Sequence, residues 1–397
     1  MLKKHDEITE ILERGIEEVI VRKELEEKLR SGKKIKLYLG FDPTGARLHI
    51  GHAIALRKLR DFQRLGHHVI FLIGSFTALI GDTSDKDSPR QPLTSAQIEE
   101  NFKTYKEQAS KILDFSKVEL RYNSDWLSKL NFKDVLNLAN KFTVQQMIER
   151  EMYRRRIAEG KPIGLHEFLY PLMQGYDSVA MDVDLEVGGN DQLFNMLAGR
   201  TLQKVLKNRE KHVMTVKLLE GTDGRKMSKT YENFINITDP SGEQYGKLMS
   251  INDGLILKYF ELCTDVPMSK IAEFAAGMKA GENPRDLKMR LAREIVTIYH
   301  DAGAATEAES EFVKIFQKHE TPTKIEEKKM QKKSYGICEL IFEAGLATSK
   351  SEARRMVEQG GASIDDQKIT DPKQTIELNK KGFVLKVGKR HFLKVCC

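Results

Sequence analysis

The sequence has few cysteines and no long uninterrupted apolar segment. None of the four cysteines lies at a C-x-x-C spacing or at a ligand interval from a histidine, so we expect no zinc site, no disulfide framework and a reducing, cytoplasmic location. The longest apolar run, residues 69–80, is interrupted by glycine and hydroxyl side chains and is shorter than the ~18 residues that a membrane span needs. The N-terminus, "MLKKHDEITEILERG", is acidic and amphipathic rather than an apolar signal, so no membrane partner is expected.

The size and charge of the chain indicate a modular protein with an anionic partner. Its 397 residues suffice for two or three domains, and 40% hydrophobic with 31% charged residues excludes the disordered class. The net charge is +7, and residues 320–397 contribute +5 of it, from 16 Lys/Arg minus 11 Asp/Glu. A basic C-terminal module favours a polyanionic partner, although a solvated lysine-rich surface has the same composition.

The apolar pattern predicts an α/β fold. Residues 5–30 have the spacing of an amphipathic helix, and residues 35–41, 49–66 and 68–74 predict a strand, a helix and a second buried strand. Such a βαβ unit has a parallel sheet with its ligand site at the carboxyl ends of the strands. Residues 95–185 are expected to be a mostly helical insertion, and residues 211–221 a further strand.

Two histidines, His49 and His52, lie three apart where the first strand leads into the helix. They can share one face beside main-chain N–H groups that lack helical partners, which is an arrangement suited to an anion. Gly51 between them has no side chain to keep out a flat ring or a sugar. Alone, such a pair is more often a surface feature.

A second cationic segment, "GTDGRKMSKTYENF" at residues 221–234, places Arg225, Lys226 and Lys229 between glycines and a polar run. A mobile loop of this kind can close on a triphosphate and stabilise charge as pyrophosphate leaves. Taken alone it is equally a solvated charged loop.

Together the two segments resemble the signatures of class I aminoacyl-tRNA synthetases, "HIGH" at residues 49–52 and "KMSKS", here "KMSKT", at residues 226–230. The resemblance narrows to the bacterial-type tyrosyl-tRNA synthetases and covers nearly the whole chain. Their motifs are matched by "YLGFDPTGARLHIGH" (38–52), "ALIGD" (78–82), "YPLMQGYD" (170–177) and "GGNDQ" (188–192). Leu39, Asn190 and the "KMSKT" loop depart from common family residues, which indicates a particular subgroup.

The resemblance implies the domain organisation. It predicts a Rossmann-like catalytic domain at residues 1–230 with a helical insertion at about 95–185, and an α-helical anticodon-binding domain at 231–318. A linker at 319–334 precedes an α+β RNA-binding domain of the S4 type at 335–397. In that domain, Ser349 with Glu352 forms a capping box for a helix that presents Arg354 and Arg355, and Gly360 ends it. A second basic stretch, Arg154 to Arg156, is either near the acceptor stem of tRNA or solvated.

The resemblance also implies a pocket for tyrosine. Asp82, Tyr170 and Gln174 would hold the ammonium, the Tyr38 hydroxyl and Asp177 the phenol oxygen, and Gln192 the carboxylate side. Tyr170, Gln174 and Asp177 recur at i, i+4 and i+7 and so share a helix face. A site that pairs with the substrate hydroxyl rejects the analogue lacking it, so no editing domain is expected.

The implied reaction has two steps: the tyrosine carboxylate attacks the α-phosphate of ATP, and a ribose hydroxyl at the 3′ end of tRNA(Tyr) then attacks the adenylate. His49 and His52 are expected to donate hydrogen bonds rather than shuttle protons. Thr44, Lys226, Lys229, Lys86 and Arg90 would hold the phosphates, and Mg²⁺ would arrive with ATP. The other residues expected at ATP are Gly40, Asp42, Gly51, Gly189, Asp191, Met227, Ser228 and Thr230.

Family members act in protein biosynthesis as homodimers, so a homodimer is expected here too and DNA is not an expected partner. Three alternatives stay open: a tryptophan-specific ligase, a small-acid adenylyl ligase without tRNA, and an RNA-binding paralogue that has lost catalysis. Tyr38 with Asp177 opposes the first, because an indole offers one N–H donor and no acceptor. The C-terminal module opposes the second, and the intact His and Lys signatures oppose the third.

Overall fold

The computed structural model describes residues 2–43, 47–82, 94–225, 227, 231, 233–316, 325–365, 367–388 and 391–397, with side chains from Glu7 onward apart from Ser95. These residues form two compact units, Met1–Asp301 and Ala302–Cys397. None of the described helices is long and apolar enough to cross a membrane.

The first unit is built on a mainly parallel sheet. Its strands are β1 (Ile16–Ile20), β2 (Lys36–Phe41), β3 (His68–Ile73), β4 (Val118–Tyr122), β5 (Leu185–Gly189) and β6 (His212–Val216), in the order β1-β6-β5-β2-β3-β4. β1 pairs antiparallel with β6, and the other pairs are parallel. β3 and β6 are almost wholly buried, as expected for strands with helices on both faces. The predicted α/β class with a parallel sheet is therefore confirmed.

The described helices of this unit include those that alternate with the strands, those of the predicted insertion, and four that follow β6. They are α1 (Leu2–Glu13), α2 (Arg22–Arg30), α3 (Ile50–Arg64), α4 (Thr77–Ile80), α5 (Ser95–Ala109), α6 (Ser124–Leu127), α7 (Phe132–Ala139), α8 (Val144–Ile148), α9 (Glu151–Ala158), α10 (Tyr170–Met181), α11 (Leu193–Lys207), α12 (Ser241–Met249), α13 (Ile256–Cys263), α14 (Met268–Lys279) and α15 (Pro284–Tyr299). The insertion is mostly helical, as predicted, but it also contributes β4 to the edge of the sheet.

The N-terminal prediction of one helix over residues 5–30 is wrong. The helix α1 ends at Glu13, and Gly15 follows with a φ of 65° that favours glycine. β1 then pairs with β6, and Val21, at a φ of 60°, precedes α2. The apolar spacing missed this break because residues 16 and 19 of the supposed helix face lie in the strand.

The strand order places the ligand site. β2 and β5 are adjacent in the middle of the sheet. From β2 the strand order continues in one direction through β3 to β4, whereas from β5 it continues in the opposite direction to β6. At such a switch point the loops after the two central strands part and leave a crevice at their carboxyl ends. The residues directly after β2, Asp42 and Pro43, and the "GGNDQ" segment after β5 therefore lie at the same edge of the sheet.

The second unit holds α16 (Ala302–Phe316) and the small C-terminal domain. That domain contains β7 (Glu326–Lys329), β8 (Ser334–Gly336), α17 (Ile337–Glu343), α18 (Lys350–Glu358), β9 (Ala362–Ile364), β10 (Gln367–Ile369), β11 (Thr375–Glu377), β12 (Phe383–Val387) and β13 (His391–Cys396). Its sheet has the order β10-β9-β12-β13-β7, and β8 pairs with β11. The predicted helix start is present, since Ser349 Oγ accepts from the Glu352 N–H at 3.1 Å, and Gly360 lies beyond its end at a φ of 67°. The predicted capping box is not closed, because the Glu352 carboxylate accepts from the Thr348 N–H at 2.7 Å rather than from that of Ser349.

Candidate active site

A cavity of about 340 Å³ opens at the carboxyl ends of β2 and β5. It is lined by every predicted tyrosine- or ATP-contacting residue that the structure describes: Tyr38, Gly40, Asp42, His49, Gly51, His52, Asp82, Tyr170, Gln174, Asp177, Gly189, Asp191, Gln192 and Met227. The predicted phosphate-binding residues Thr44, Lys86, Arg90, Lys226 and Lys229, with Ser228 and Thr230, lie outside the described residues.

The two histidines at the start of α3 form a stacked pair in the cavity wall. Their ring centroids are 3.7 Å apart, with 25° between the ring planes. The His49 backbone N–H donates to His52 Nδ1 at 3.2 Å, and the Ile50 N–H is already bonded to a main-chain carbonyl at Ile235. A Cβ on Gly51 would lie 3.0 Å from the His49 ring and 3.3 Å from Met227 Sδ. Glycine therefore keeps the space beside the first ring open.

Both imidazoles are electrostatically neutral at physiological pH. Burial lowers the pKa of His52 to about 4, and burial together with the neighbouring His52 ring lowers the pKa of His49 well below its usual value. Because His52 Nδ1 accepts a hydrogen bond, the proton of the neutral ring is on Nε2. The ring can therefore donate from Nε2 without carrying a charge.

Asp42, directly after β2, is held by two hydroxyls. Thr77 Oγ1 donates to Asp42 Oδ1 at 2.7 Å, and the Tyr170 hydroxyl donates to Oδ2 at 2.9 Å. A Cβ on Gly74 would lie 1.9 Å from Asp42 Oδ1 and 2.5 Å from the Thr77 hydroxyl. Only glycine at residue 74 therefore lets this carboxylate take its position.

Asp82 lies on the same side of the cavity as the "GGNDQ" segment. The Gln192 side-chain amide donates to Asp82 Oδ2 at 2.7 Å, and Arg150 Nη2 lies 4.0 Å from Oδ1. Two residues predicted to face the amino and carboxylate groups of tyrosine are therefore brought together. Gln174 lies nearby, and its amide nitrogen donates to Glu186 at 3.0 Å.

Asp177 lies at the inner end of the cavity and is almost wholly buried. Trp126 Nε1 donates to one carboxylate oxygen at 2.8 Å, and Asn123 donates to the other at 3.2 Å. Burial raises the pKa of Asp177 well above its usual range, while these two hydrogen bonds oppose the shift. The Tyr38 hydroxyl does not bond to Asp177 but lies 2.9 Å from Ser178 Oγ.

A family model described as tRNA synthetases class I (W and Y) matches residues 30–317, and one described as tyrosine–tRNA ligase SYY-like C-terminal domain matches residues 317–395. A tyrosine–tRNA ligase of Thermotoga maritima is 48% identical, covering 98% of this chain and 97% of the relative. One of Carboxydothermus hydrogenoformans is 47% identical, covering 97% of both. The chain belongs to the class I tyrosine–tRNA ligases. The α/β fold class and the enzyme class predicted from the motifs are both confirmed.

Solved structures agree with this family. A tyrosyl-tRNA synthetase of Archaeoglobus fulgidus, complexed with L-tyrosine, matches with a TM-score of 0.63 and 25% identity, covering 76% of this chain and 99% of that one. A C-terminally truncated mitochondrial enzyme of Aspergillus nidulans has a TM-score of 0.66 at 22% identity, covering 79% and 98%, and supports the fold alone.

Asn123 and Glu186 line this ligase's cavity, and Trp126 and Lys211 support it from behind, although none of the four belongs to a predicted motif. Asn123 and Trp126 hold Asp177, and the charged residues Glu186 and Lys211 are nearly or completely buried behind Ser178. The motifs carry no signal for the first two, which lie in the insertion. Glu186 lies in β5 and Lys211 directly precedes β6. Their contact could therefore be predicted only from the register of these two neighbouring strands.

The predicted RNA-binding arginines lie on α18. Arg354 and Arg355 are both exposed, and Arg354 Nε donates to Glu358 at 2.8 Å. Neither alternative for Arg154 to Arg156, a position near the acceptor stem or a solvated face, holds for all three side chains. Arg154 and Arg155 are exposed, but Arg156 is fully buried against Glu167, at 2.6 and 2.9 Å. Arg156 is therefore not a solvated or RNA-facing side chain.

Proposed function

We propose that this chain joins L-tyrosine and ATP to tyrosyl-adenylate in the 340 Å³ cavity and then transfers tyrosine to tRNA(Tyr). The observation that carries the proposal is the convergence on one cavity of all the predicted tyrosine and ATP residues that the structure describes. These residues come from five separate segments of the chain. Their meeting at the switch point of the sheet is what a ligand site of this fold requires.

The tyrosine side chain would enter toward Asp177. The Asp177 carboxylate already accepts from Trp126 and Asn123, but its two oxygens offer about four acceptor positions, so it can also accept from a phenol O–H. Tyr38 would donate to the same phenol oxygen. Phenylalanine would leave both groups unpaired in a buried site. This family is itself a standard example of the effect, with a discrimination of about 10⁵ against phenylalanine.

The amino group would be held at the mouth of the cavity. Asp82 supplies a negative charge, and Tyr170 supplies its hydroxyl oxygen as an acceptor, since its hydrogen is donated to Asp42. The amide nitrogen of Gln174 is committed to Glu186, so its carbonyl oxygen is the atom that would accept from an ammonium. Gln192, bonded to Asp82, would face the carboxylate side of the substrate.

The first reaction step needs no proton transfer. A tyrosine carboxylate oxygen, ionised at pH 7, forms a bond to the α-phosphorus while the bond to the pyrophosphate oxygen breaks and its electron pair leaves with pyrophosphate. His49 and His52 would donate N–H groups to ATP and to charge that develops on the phosphates. Gly40, Asp42, Gly51 and Met227 would line the nucleotide subsite, and Gly189 with Asp191 would face the ribose.

The triphosphate would be held by the remaining predicted residues, Thr44, Lys86, Arg90, Lys226, Ser228, Lys229 and Thr230. Mg²⁺ is proposed to arrive with ATP as part of the substrate. Among the described residues, no group of three or more His, Cys, Asp and Glu side chains could hold a metal ion. The required positive charge would therefore come from lysine and arginine together with the ion that ATP carries.

Exposed apolar side chains support the proposed homodimer. Phe132, Leu136, Val144, Ile157 and Leu165 all lie in the insertion and are between 53% and 81% exposed. Phe132 and Leu136 are four apart on α7 and so share a face. Apolar exposure concentrated in one segment is typical of a surface that a partner covers. The occupant that we propose is the same segment of a second copy of the chain.

Most of the tRNA would be bound outside this cavity, and only its 3′ end would reach the adenylate inside. We propose a catalytic domain to residue 230 and an anticodon-binding helical domain at 231–318. Because β7 pairs with β13, the RNA-binding domain starts before the predicted residue 335, and the linker predicted at 319–334 is shortened to the residues before Glu326. In the RNA-binding domain, Arg354 and Arg355 on α18 would contact RNA phosphates. Together with the protein-synthesis role of the family, this supports a cytoplasmic location.

The decisive experiment is amino-acid-dependent ATP–pyrophosphate exchange on the purified chain without tRNA, with tyrosine, phenylalanine and tryptophan supplied separately. Exchange with tyrosine alone supports both the activation chemistry and the phenol-binding pocket. Exchange with tryptophan would overturn the roles given to Tyr38 and Asp177. Exchange with none of the three would favour an RNA-binding paralogue without catalysis.

A further inference from the structure

A buried ion pair lies directly behind the phenol end of the cavity. Lys211 is fully buried and Glu186 is 2% exposed. The Lys211 ammonium donates to Glu186 Oε2 and, at 2.8 Å, to Ser178 Oγ. A Cβ on Gly199 would lie 2.5 Å from the ammonium nitrogen, so α11 leaves room for it only because this residue is glycine. An ion pair removed from water costs free energy to form, so its position beside the pocket calls for an explanation.

The ion pair is connected to both ends of the proposed tyrosine site. Ser178 Oγ links Lys211 to Tyr38, because it accepts from the Lys211 ammonium and lies 2.9 Å from the Tyr38 hydroxyl oxygen. Through Glu186 Oε1, which accepts from the Gln174 amide at 3.0 Å, the pair also reaches the proposed ammonium site. One buried charge pair therefore fixes a residue at each end of the substrate.

The hydrogen-bond geometry gives this connection a direction. Lysine can only donate, so Ser178 Oγ accepts from Lys211. The Ser178 hydrogen can go to the Tyr38 oxygen at 2.9 Å or to Glu186 at 3.4 Å, and only the shorter distance lies within the usual O–H···O range. The Tyr38 oxygen therefore accepts from Ser178, which leaves the Tyr38 hydrogen to be donated elsewhere.

Two acceptors compete for that hydrogen: the Glu186 carboxylate and a phenol oxygen in the cavity. Glu186 is the register partner of Tyr38 on the neighbouring strand, and the Tyr38 hydroxyl and Glu186 Oε2 lie 2.9 and 3.4 Å from the same Ser178 Oγ, so the carboxylate is close to the hydroxyl. Burial, followed by the charge of Glu186, raises the pKa of Tyr38 well above its usual value, so the hydroxyl keeps its hydrogen. Lys211 engages the same carboxylate and weakens it as an acceptor. We propose that Lys211, acting through Ser178 and Glu186, is a positioning residue that turns the Tyr38 O–H toward the substrate and thereby sets tyrosine specificity.

This inference rests on the proposal that Tyr38 contacts the phenol of tyrosine. Its test compares Lys211→Met with the wild-type chain and with Lys211→Met/Glu186→Gln, using ATP–pyrophosphate exchange with tyrosine and with phenylalanine. In the single variant the unpaired Glu186 should take the Tyr38 hydrogen. We expect kcat/KM for tyrosine to fall about 10- to 100-fold, mainly through KM, with phenylalanine changed less than about 3-fold.

The double variant removes the competing carboxylate together with the lysine, so it should recover part of the tyrosine-to-phenylalanine ratio. KM for ATP should change less than about twofold in both. Lys58→Met is the matched control, because Lys58 is also buried and donates to a backbone carbonyl, but it lies outside the cavity. That variant should leave the ratio of the two amino acids unchanged even if it lowers stability.

The outcomes separate this inference from the proposed function. A folded Lys211→Met chain with an unchanged ratio would show that Lys211 acts only in stability. If that chain does not fold, Ser178→Ala decides, because it keeps the ion pair and removes the link to Tyr38, and it should lower the same ratio. If the wild-type chain shows no tyrosine-dependent exchange, or Tyr38→Phe leaves the ratio unchanged, the proposed site itself fails.

Discussion

The stacked rings of His49 and His52, with centroids 3.7 Å apart, constrain each other's protonation. Two imidazolium ions at that separation would repel strongly, and the shielding of both rings from water also disfavours charge. The pair therefore offers neutral N–H donors. Such donors stabilise charge developing on phosphate oxygens without changing their own protonation during the reaction.

We predict that His52 stays neutral down to about pH 4 in the free chain. In the unfolded chain it would titrate near its ordinary pKa of about 6.5. Between these values the unfolded chain binds a proton that the folded chain does not, so this residue makes the free energy of unfolding fall as pH decreases. An NMR titration of the imidazole signals, assigned with His52→Asn, checks this. A midpoint near 6.5 would contradict the prediction.

The sequence motifs predicted the residues proposed to contact the substrates better than the residues that hold those side chains in position. The "HIGH" histidines and the six proposed tyrosine-binding residues, of which Tyr38 is the first and Gln192 the last, were predicted because each belongs to a short motif with its own chemistry. Lys211 and Glu186 were not, because their contact depends on the register of two strands, β5 and β6. The end of the first helix could not be predicted either. Ile16 and Val19 continue the helical spacing by coincidence, although both lie in β1, after the turn at Gly15.

Gly74→Ala should displace Asp42. The added Cβ would overlap Asp42 Oδ1, 1.9 Å away, and neither that carboxylate nor Thr77 can shift without losing their mutual hydrogen bond. We expect a loss of about 1–3 kcal/mol in the free energy of unfolding and slower adenylate formation. Gly242→Ala is the control, because nothing lies within 4 Å of its Cβ and it should not destabilise. Equal effects of both variants in urea denaturation and exchange assays would refute the steric argument.

Lys229→Ala should slow adenylate formation with little change in tyrosine affinity. The lysine is proposed to contact phosphate oxygens whose charge grows as pyrophosphate leaves, an interaction stronger in the transition state than in the ground state. Stopped-flow measurement of single-turnover adenylate formation, with equilibrium binding of tyrosine, separates the two effects. Asp177→Ala is the complementary variant, expected to weaken tyrosine discrimination. An unchanged activation rate in Lys229→Ala would remove this residue from the proposed mechanism.

Arg156→Met should destabilise the chain strongly. It would leave Glu167 buried without the guanidinium that donates to both its carboxylate oxygens, a loss of about 3–5 kcal/mol. Arg154→Met, at an exposed residue of the same helix, should change the free energy of unfolding by less than about 0.5 kcal/mol. Urea denaturation measures both. If instead Arg156→Met weakened tRNA binding and left stability intact, the structural role assigned to this ion pair would be wrong.

Phe132→Asp should convert the proposed homodimer to a monomer. Phe132 is 78% exposed, and a carboxylate there would have to be buried without a partner when two copies meet. Sedimentation equilibrium at micromolar concentration should give about twice the 45.4 kDa chain mass for the wild type and a single chain mass for the variant. Val205→Asp is the matched control, because Val205 is 54% exposed on α11, outside the insertion, and should leave the mass unchanged. A monomeric wild type, or a variant that remains dimeric, would show that this apolar surface does not hold two copies together, and its exposure would then need a different partner.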